Sequence, residues 1–341
     1  MAKKRGRRKK ESHVGIDIGT RFIKALDVSS DGETQLLNAV HSAEIEPPCN
    51  ASSIKYTLKS LLENFKPSTK NVTISLSAPS AMVRFINMPK MSIDDLRNSL
   101  KFEAEKYIPF SINDVLIDVV VLEEPSDGKG YMRVLLAAAK KDAVNSRIAM
   151  FEELGLTVSV IDIDFFACFN AFYNSSGKEV DGKNVALLNI GHTQTNVVMS
   201  KGNQPYFTRD IQIGGRDMLQ AVSKELQIDN RQSETLVSDP KEKSAEVFEI
   251  CKSVLNNLAD ELRLSFGYYE NQSGGNIHNI YLSGGAVTLH GIDDFMQESL
   301  GIKPVIWDPF AKFKMGQEVD AKLIESDRAR FAICAGLALR R

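Results

Sequence analysis

Residues Val14 to Lys24 read VGIDIGTRFIK, directly behind a tail made almost wholly of Lys and Arg. An apolar run carries Asp17, Gly19 follows two residues later, and Thr20 and Arg21 lead into a second strand-like run ending at Lys24. A tight bend between two strands gathers consecutive backbone N–H groups into one concavity, which suits an anion. Glycine lets a phosphate approach the backbone closely, and threonine adds a hydroxyl. Asp17 can hold Mg²⁺ through water, while Arg21 and Lys24 can neutralise phosphate charge. Alone, such a bend is more often a plain turn.

The second half of the chain repeats it. Setting ALLNIGHTQTNVVMSKGNQP, residues 186–205, beside VGIDIGTRFIKALDVSSDGE aligns Asn189 with Asp17, Ile190 with Ile18, Gly191 with Gly19 and His192 with Thr20. Two such hairpins facing each other across a cleft would grip a polyphosphate from both sides. Two glycine pairs add to the pattern. Gly214 and Gly215 open a predicted helix, and Gly284 and Gly285 follow a predicted strand directly, so each could let a flat ring lie against backbone.

Composition sets the outer limits. The chain has 341 residues, 43% hydrophobic and 25% charged, enough for a sizeable core and for two to three domain-sized units. The longest apolar runs, Val134–Ala139 and Phe331–Leu339, fall short of the roughly 20 residues of a membrane helix. No apolar segment follows the basic tail, so a secretory signal is not expected and a cytoplasmic protein is. Cys49, Cys168, Cys251 and Cys334 are widely spaced and read as core residues rather than as a zinc or disulfide set. Seven cations between Lys3 and Lys10, set against a formal net charge of −2, leave −9 on the rest. A like-charged terminus is a solvated arm first and, second, a segment attracted to an anionic membrane; the acidic body argues against nucleic acid.

Strand-like and helical segments alternate, an α/β pattern. Strands are predicted at Val14–Ile18, Phe22–Val28, Thr34–Ala39 and Val72–Leu76, with a helix near Ser52–Phe65. Ser92 and Asp95 read as a capping pair for a helix carrying Ile93, Leu96, Leu100, Ala104 and Tyr107 on one face until Pro109. Strands near Val115–Leu122 and Met132–Ala138 flank a turn-rich loop. Residues 80–155 therefore read as an α+β unit inserted into the larger plan. A long helix is expected over Ala245–Tyr269 with a core stripe from Val247 to Phe266.

Together these elements resemble the actin-like ATPase superfamily, and within it the PilM family of type IV pilus assembly proteins, which is related to the division protein FtsA. The phrases that carry the resemblance are VRFINMPKMSIDDLRNSLKFEAEKYIPF (Val83–Phe110), YFTRDIQIGGRDM (Tyr206–Met218) and GIDDFMQESLGIKPVIWDPF (Gly291–Phe310). The resemblance implies an α/β actin-like ATPase fold, two related halves around a nucleotide cleft, with the inserted subdomain in the first half. The corresponding division is a disordered arm 1–12, a first core subdomain 13–79 resumed at 156–183, the insert 80–155, and a second half 184–341.

By the same resemblance Asp17, Gly19, Thr20, Arg21 and Lys24 form a first phosphate site, with Mg²⁺ held through water by Asp17. Asn189, Gly191, His192 and Thr193 form a second. Gly214, Gly215, Gly284, Gly285 and Ala286 line the nucleoside end of bound ATP. Two positions depart from the family pattern. Asn189 replaces an aspartate, which implies weak or absent hydrolysis, and Glu234 stands in the helix where a lysine commonly reaches the nucleoside, which implies lower affinity. The implied role is a scaffold peripheral to the cytoplasmic face of the inner membrane, capturing the N-terminal peptide of a PilN-like membrane protein among other pilus platform components. The peptide would lie between the insert and the first core subdomain. The alternatives are an active ATPase or small-molecule kinase, and a self-associating, filament-forming cytoskeletal protein.

Overall fold

The computed structural model describes residues 11–31, 34–125, 130–317 and 319–340. The cationic segment from Lys3 to Lys10 lies outside the described residues. Glu11 and Ser12, placed in the arm by charge, already pair with Ser30 and Ser29 in the first strand pair.

In chain order the elements are β1 (Glu11–Ile18), β2 (Phe22–Ser30), β3 (Gln35–Glu44), α1 (Ala51–Phe65) and β4 (Asn71–Leu76). Next come β5 (Ala81–Pro89), α2 (Ile93–Glu103), β6 (Val115–Glu123), β7 (Tyr131–Lys140), α3 (Lys141–Glu152), β8 (Thr157–Ile163) and α4 (Asp164–Ser176). The second half begins with β9 (Val185–Ile190), β10 (Thr195–Lys201), β11 (Gln204–Ile211), α5 (Gly215–Leu226), α6 (Asn230–Ser238) and α7 (Ser244–Ser273). It ends with β12 (Asn279–Ser283), α8 (Ile292–Leu300), β13 (Val305–Ile306), β14 (Phe313–Met315), α9 (Ala321–Asp327) and α10 (Ala332–Leu339).

The duplication seen in sequence extends to topology. One sheet has the order β14-β3-β2-β1-β4-β8 and another β11-β10-β9-β12-β13. In each, three antiparallel strands form a meander and two parallel strands follow beside the first of them. Strands β1 and β9 therefore sit inside their sheets. VALLNI in β9 is buried throughout, the unbroken apolar run expected of a strand covered on both faces.

Helices layer the sheets. α1 and α3 cover one face of the first sheet, with Leu58, Phe65 and Phe151 packed on Val14, Ile16 and Ile74. α5, α7 and α8 cover the far face of the second, around Met218, Leu258 and Met296. Between the sheets lie α4 and α10, whose Phe169, Phe172, Cys334 and Leu337 share one cluster with Leu26 and Val28 on one side and Leu187 and Val198 on the other. α10 is apolar all round because it is buried all round. The C-terminus thus returns to the first sheet, where β14 also pairs with β3, a return that the motifs do not announce.

The third sheet, β5-β7-β6, holds α2 on one face through Leu96, Leu100, Val119 and Val134. Ser92 caps α2, accepting from the Asp95 N–H at 3.2 Å and donating to the Asp95 carboxylate at 2.7 Å. The helix ends at Glu103 and tightens into a 3₁₀ turn over Ala104–Lys106, short of Pro109. Phe151 on α3 is buried in the first core, so this helix, taken into the insert by its position in the sequence, packs with the main sheet.

Close approach of α10 to α4 requires Gly336, where an added Cβ falls 1.7 Å from the Ala167 carbonyl oxygen. The obstacle is backbone, so relief requires the two helices to separate. Gly336→Ala is expected to destabilise the protein by about 3 kcal/mol, the upper range for overpacking, read as a lowered midpoint in urea unfolding; an unchanged midpoint would show that the helices separate freely.

Candidate functional site

Both hairpins bend in the same way. Ile18 pairs with Ile23 and Ile190 with Thr195, leaving the turns Gly19–Phe22 and Gly191–Gln194. The Gly19 N–H donates to the Phe22 carbonyl at 3.0 Å and the Gly191 N–H to the Gln194 carbonyl at 2.9 Å. Those two N–H groups close the turns. The next ones, of Thr20 and Arg21 and of His192 and Thr193, take no hydrogen-bond partner among the described residues. Donors left open at a bend are what an anion nest requires. The two tips meet, with the Thr193 hydroxyl 3.3 Å from that of Thr20.

Between the hairpins lies a cleft of about 750 Å³. It is lined by Asp17, Gly19, Thr20, Arg21 and Lys24 from one side and by Asn189, Gly191, His192 and Thr193 from the other. Gly215, Gly284, Gly285 and Ala286 line its far end. Gly214 stands behind the wall, where a Cβ would meet the His192 carbonyl at 2.7 Å; the Gly215 and Arg216 N–H groups donate to the Gly191 and His192 carbonyls and hold the second hairpin on the start of α5. Gly284 has φ +99° and presses on the Ile190 backbone, with 2.2 Å left for a Cβ, so only glycine fits this turn.

The equivalent cross-strand pairs of the hairpins differ in charge. Lys24 donates to Asp17 at 2.5 Å, and both are buried. In the second hairpin the same register positions hold Asn189 and Asn196. Ser283 donates to Asn189 at 3.2 Å, Asn189 to Asn196 at 3.2 Å, and Asn196 to Asp210 at 2.6 Å, so a one-way chain of donors crosses the sheet and ends on a carboxylate. Burial raises the Asp210 carboxyl above its ordinary range, and the bond from Asn196 opposes this. Both polar atoms of Asn189 are thereby engaged.

Arg21 binds two carboxylates, Glu44 at 3.0 Å on its own sheet and Glu234 at 2.5 Å across the cleft on α6. His192 is pushed down to about 4, first by burial and then by Arg21 and Arg216, so it stands in the cleft as a neutral imidazole at pH 7. Several lining residues escaped the sequence reading. Asp164, Arg216, Arg231 and Arg330 all face the same cleft. Arg330 lies over the Phe22 ring at 4.4 Å and would be met by a Cβ on Gly285 at 3.3 Å. Arg216 follows the Gly214–Gly215 pair at the start of α5; the other three sit in no glycine-marked turn, and only the return of α4, α6 and the C-terminal segment to the cleft brings them there.

A model of the family described as type IV pilus assembly protein PilM matches residues 15–341. Among solved structures, the PilM–PilN type IV pilus biogenesis complex superposes with a TM-score of 0.85 at 25% identity, covering 97% of this chain and 99% of that one. Ethanolamine utilization protein EutJ from Carboxydothermus hydrogenoformans gives 0.58 at 12% identity over 96% of this chain and 89% of that one. MreB5 of Spiroplasma citri bound to ADP gives 0.51 at 9% identity over 96% and 94%. The latter two similarities concern the fold alone, and that fold is the α/β actin-like one that the sequence resemblance implies.

Asp164 opens α4 on the cleft floor, and its carboxyl is raised to about 7, first by burial and then by the neighbouring Asp17, with a hydrogen bond from Ser75 opposing. The ordinary value is 3.8, so between about 4 and 7 the native state binds more protons than the unfolded chain. Stability therefore falls as pH rises through that window and levels off above it. Asp164→Asn removes this dependence, so its melting temperature is expected to exceed that of the wild type by a few degrees at pH 8 and to converge with it near pH 4. An equal difference at both values would mean that Asp164 is ionised throughout.

Proposed function

The chain belongs to the type IV pilus assembly protein PilM family, and we propose that it serves there as a nucleotide-binding scaffold which captures the cytoplasmic N-terminal peptide of a PilN-like membrane protein. The observation that carries the nucleotide reading is the duplicated turn with open N–H donors on both sides of one cleft, backed by Lys24, Arg216 and Arg330. A polyphosphate matches that arrangement in charge and in donor geometry. ATP lies with its phosphates between Gly19 and Gly191 and its nucleoside toward Gly215, Gly284, Gly285 and Ala286. The residues also fit Mg²⁺. Asp17 gives one oxygen to Lys24, and the carboxylate has a second oxygen of the kind that accepts from metal-bound water. Mg²⁺ would supply charge neutralisation for the phosphates.

Turnover is slow in this reading because Asn189 is neutral and both ends of its amide are committed. Asp164 favours a second reading, an active ATPase, since it places a carboxyl with a titration point near neutrality in the same cleft.

The partner reading rests on β6. This edge strand turns Val115 and Val119 toward α2 and leaves Leu116, Asp118 and Val120 exposed on the opposite face. On that face Val83 and Leu135 enter the cluster containing Phe165 and Phe169 of α4, so the exposed strip continues an apolar contact between the insert and the first core. An extended peptide suits such an edge. Among the described residues no helix is long and apolar enough to cross a membrane. Peripheral attachment at the cytoplasmic face then comes through the captured peptide, and the basic N-terminal segment adds reversible attraction to anionic lipid.

Titration with a fluorescent ATP analogue in Mg²⁺ is expected to give saturable binding that Asp17→Asn weakens about tenfold, the worth of one charge-assisted contact. EDTA should bring the two proteins together. A steady-state turnover above roughly 1 s⁻¹, the lower end of typical enzymes, would favour the ATPase reading instead. Independently, Val120→Glu is expected to lose capture of the PilN-like peptide while its binding of the ATP analogue is unchanged; undiminished capture would place the groove elsewhere.

A further inference from the structure

We propose that Glu234 is a built-in counter-ion for Arg21 which the terminal phosphate of an incoming nucleotide displaces, so that this carboxylate sets both the affinity of the cleft for nucleoside polyphosphates and the closure of its mouth. The inference rests on the nucleotide reading of the same cleft.

Arg21 stands at the tip of the first hairpin, beside two backbone N–H groups with no partner among the described residues. Its guanidinium binds Glu44 at 3.0 Å and Glu234 at 2.5 Å. Arg21 thus divides its charge between two carboxylates at the spot where a phosphate would sit. Glu44 ends β3 in the same sheet as Arg21, so their pair stays within one half. Glu234 is different. It belongs to α6, which is capped by Asp229 and joined to the second core through Leu236 and Val237. The pair Arg21–Glu234 therefore ties the halves across the cleft, next to the contact between the Thr20 and Thr193 hydroxyls.

The pair is half-buried, with side-chain exposures of 20% and 29%, so it is less screened than a surface pair but remains within reach of a competing anion. A phosphate carries more charge than a carboxylate and matches the guanidinium in two-point geometry. Glu234 has a second partner at hand. Arg231 lies one turn earlier on α6, lines the same cleft and makes no ion pair among the described residues. Residues three apart on a helix are neighbours, so Glu234 can exchange Arg21 for Arg231 as the phosphate arrives. The exchange leaves each charge paired.

This gives the carboxylate a discriminating role. A ligand without phosphate cannot replace Glu234 and gains nothing from its removal. A polyphosphate must displace it, so removing it should tighten binding of that class alone.

The test compares wild type with Glu234→Gln, which keeps the shape, removes the charge and replaces one acceptor oxygen by a donor. The fluorescent ATP analogue is expected to bind the variant about five- to tenfold more tightly, the range for losing a competing charge-assisted contact, while adenosine binds both proteins equally. In an Arg21→Gln background the same substitution should have no effect on the analogue. Without any nucleotide, hydrogen exchange over residues 19–22 and 230–238 should be faster in Glu234→Gln, because the tie across the mouth is lost. Weaker or unchanged analogue binding by the variant, or equal tightening for adenosine, would overturn the displacement; unchanged exchange would overturn the tie. If neither protein binds the analogue, the nucleotide reading fails and the displacement with it, and the exchange comparison still decides the tie.

Discussion

The separation of the two duplicated sheets is fixed by the helix pair between them, and the cleft inherits its width from that spacing. α4 and α10 approach until Gly336 leaves no room for a Cβ beside the Ala167 carbonyl. Gly15 does the same on the other side, where a Cβ would fall 2.5 Å from the Ala338 nitrogen, so α10 lies directly on β1. Strand β1 carries Asp17 three positions before its hairpin tip, and α4 begins with Asp164 on the cleft floor. Packing of small residues in the core thus places titratable groups in the site. An interior packed to crystal density transmits such spacing without slack.

Within that frame the two halves repeat in backbone and differ in chemistry. The first hairpin buries an ion pair, and the second buries an amide pair in the same register. Removing either partner of a buried lysine–aspartate pair would leave the other without its counter-charge. The amide pair has no such cost and gains direction from the donor chain that ends on Asp210. The first half brings charged side chains to the cleft, and the second brings neutral ones, among them His192 and Thr193. His192 contributes to this as an uncharged ring, since burial beside Arg21 and Arg216 disfavours its protonation.

The site was legible where local chemistry marks it. Glycine is demanded at Gly284 by its φ of +99° and favoured at Gly191, where a Cβ would fall 2.9 Å from the Gln194 carbonyl oxygen, and such positions show in a single sequence because few other residues satisfy them. The hairpin repeat was legible as well, and β1–β2 and β9–β10 do recur with the same register; the fold itself was implied by the resemblance of the longer phrases. What stayed hidden depends on tertiary return. Asp164 and Arg330 are ordinary helix-end residues in sequence, and only the sandwiching of α4 and α10 brings them to the cleft. Arg21 was read as a phosphate ligand from its place in the turn, yet its two glutamate partners lie 23 and 213 positions further along the chain. A helix face gave the length of α2 as reaching Pro109, but the α-helix ends at Glu103 and a 3₁₀ turn carries Ala104 onto the same apolar face.

The insert is not mechanically separate from the cleft. Arg133 on β7 stacks over the Tyr206 ring at 3.4 Å, donates to the Tyr206 carbonyl at 2.5 Å and lies over Phe85 of β5. Tyr206 belongs to β11, the strand that carries Asp210 four residues later and leads into the Gly214–Gly215 turn. The insert therefore grips the second half at one end of β11, while the other end supports the second hairpin. On the first half, the same sheet packs through Val83 and Leu135 against α4, whose first residue is Asp164. A rotation of one half against the other must then shift Tyr206 relative to α4, and both are bound to the face of the insert that carries Leu116 and Val120. Any free energy by which an occupied cleft favours one relative position of the halves is felt at that face, and by linkage a ligand held there biases the cleft by the same amount.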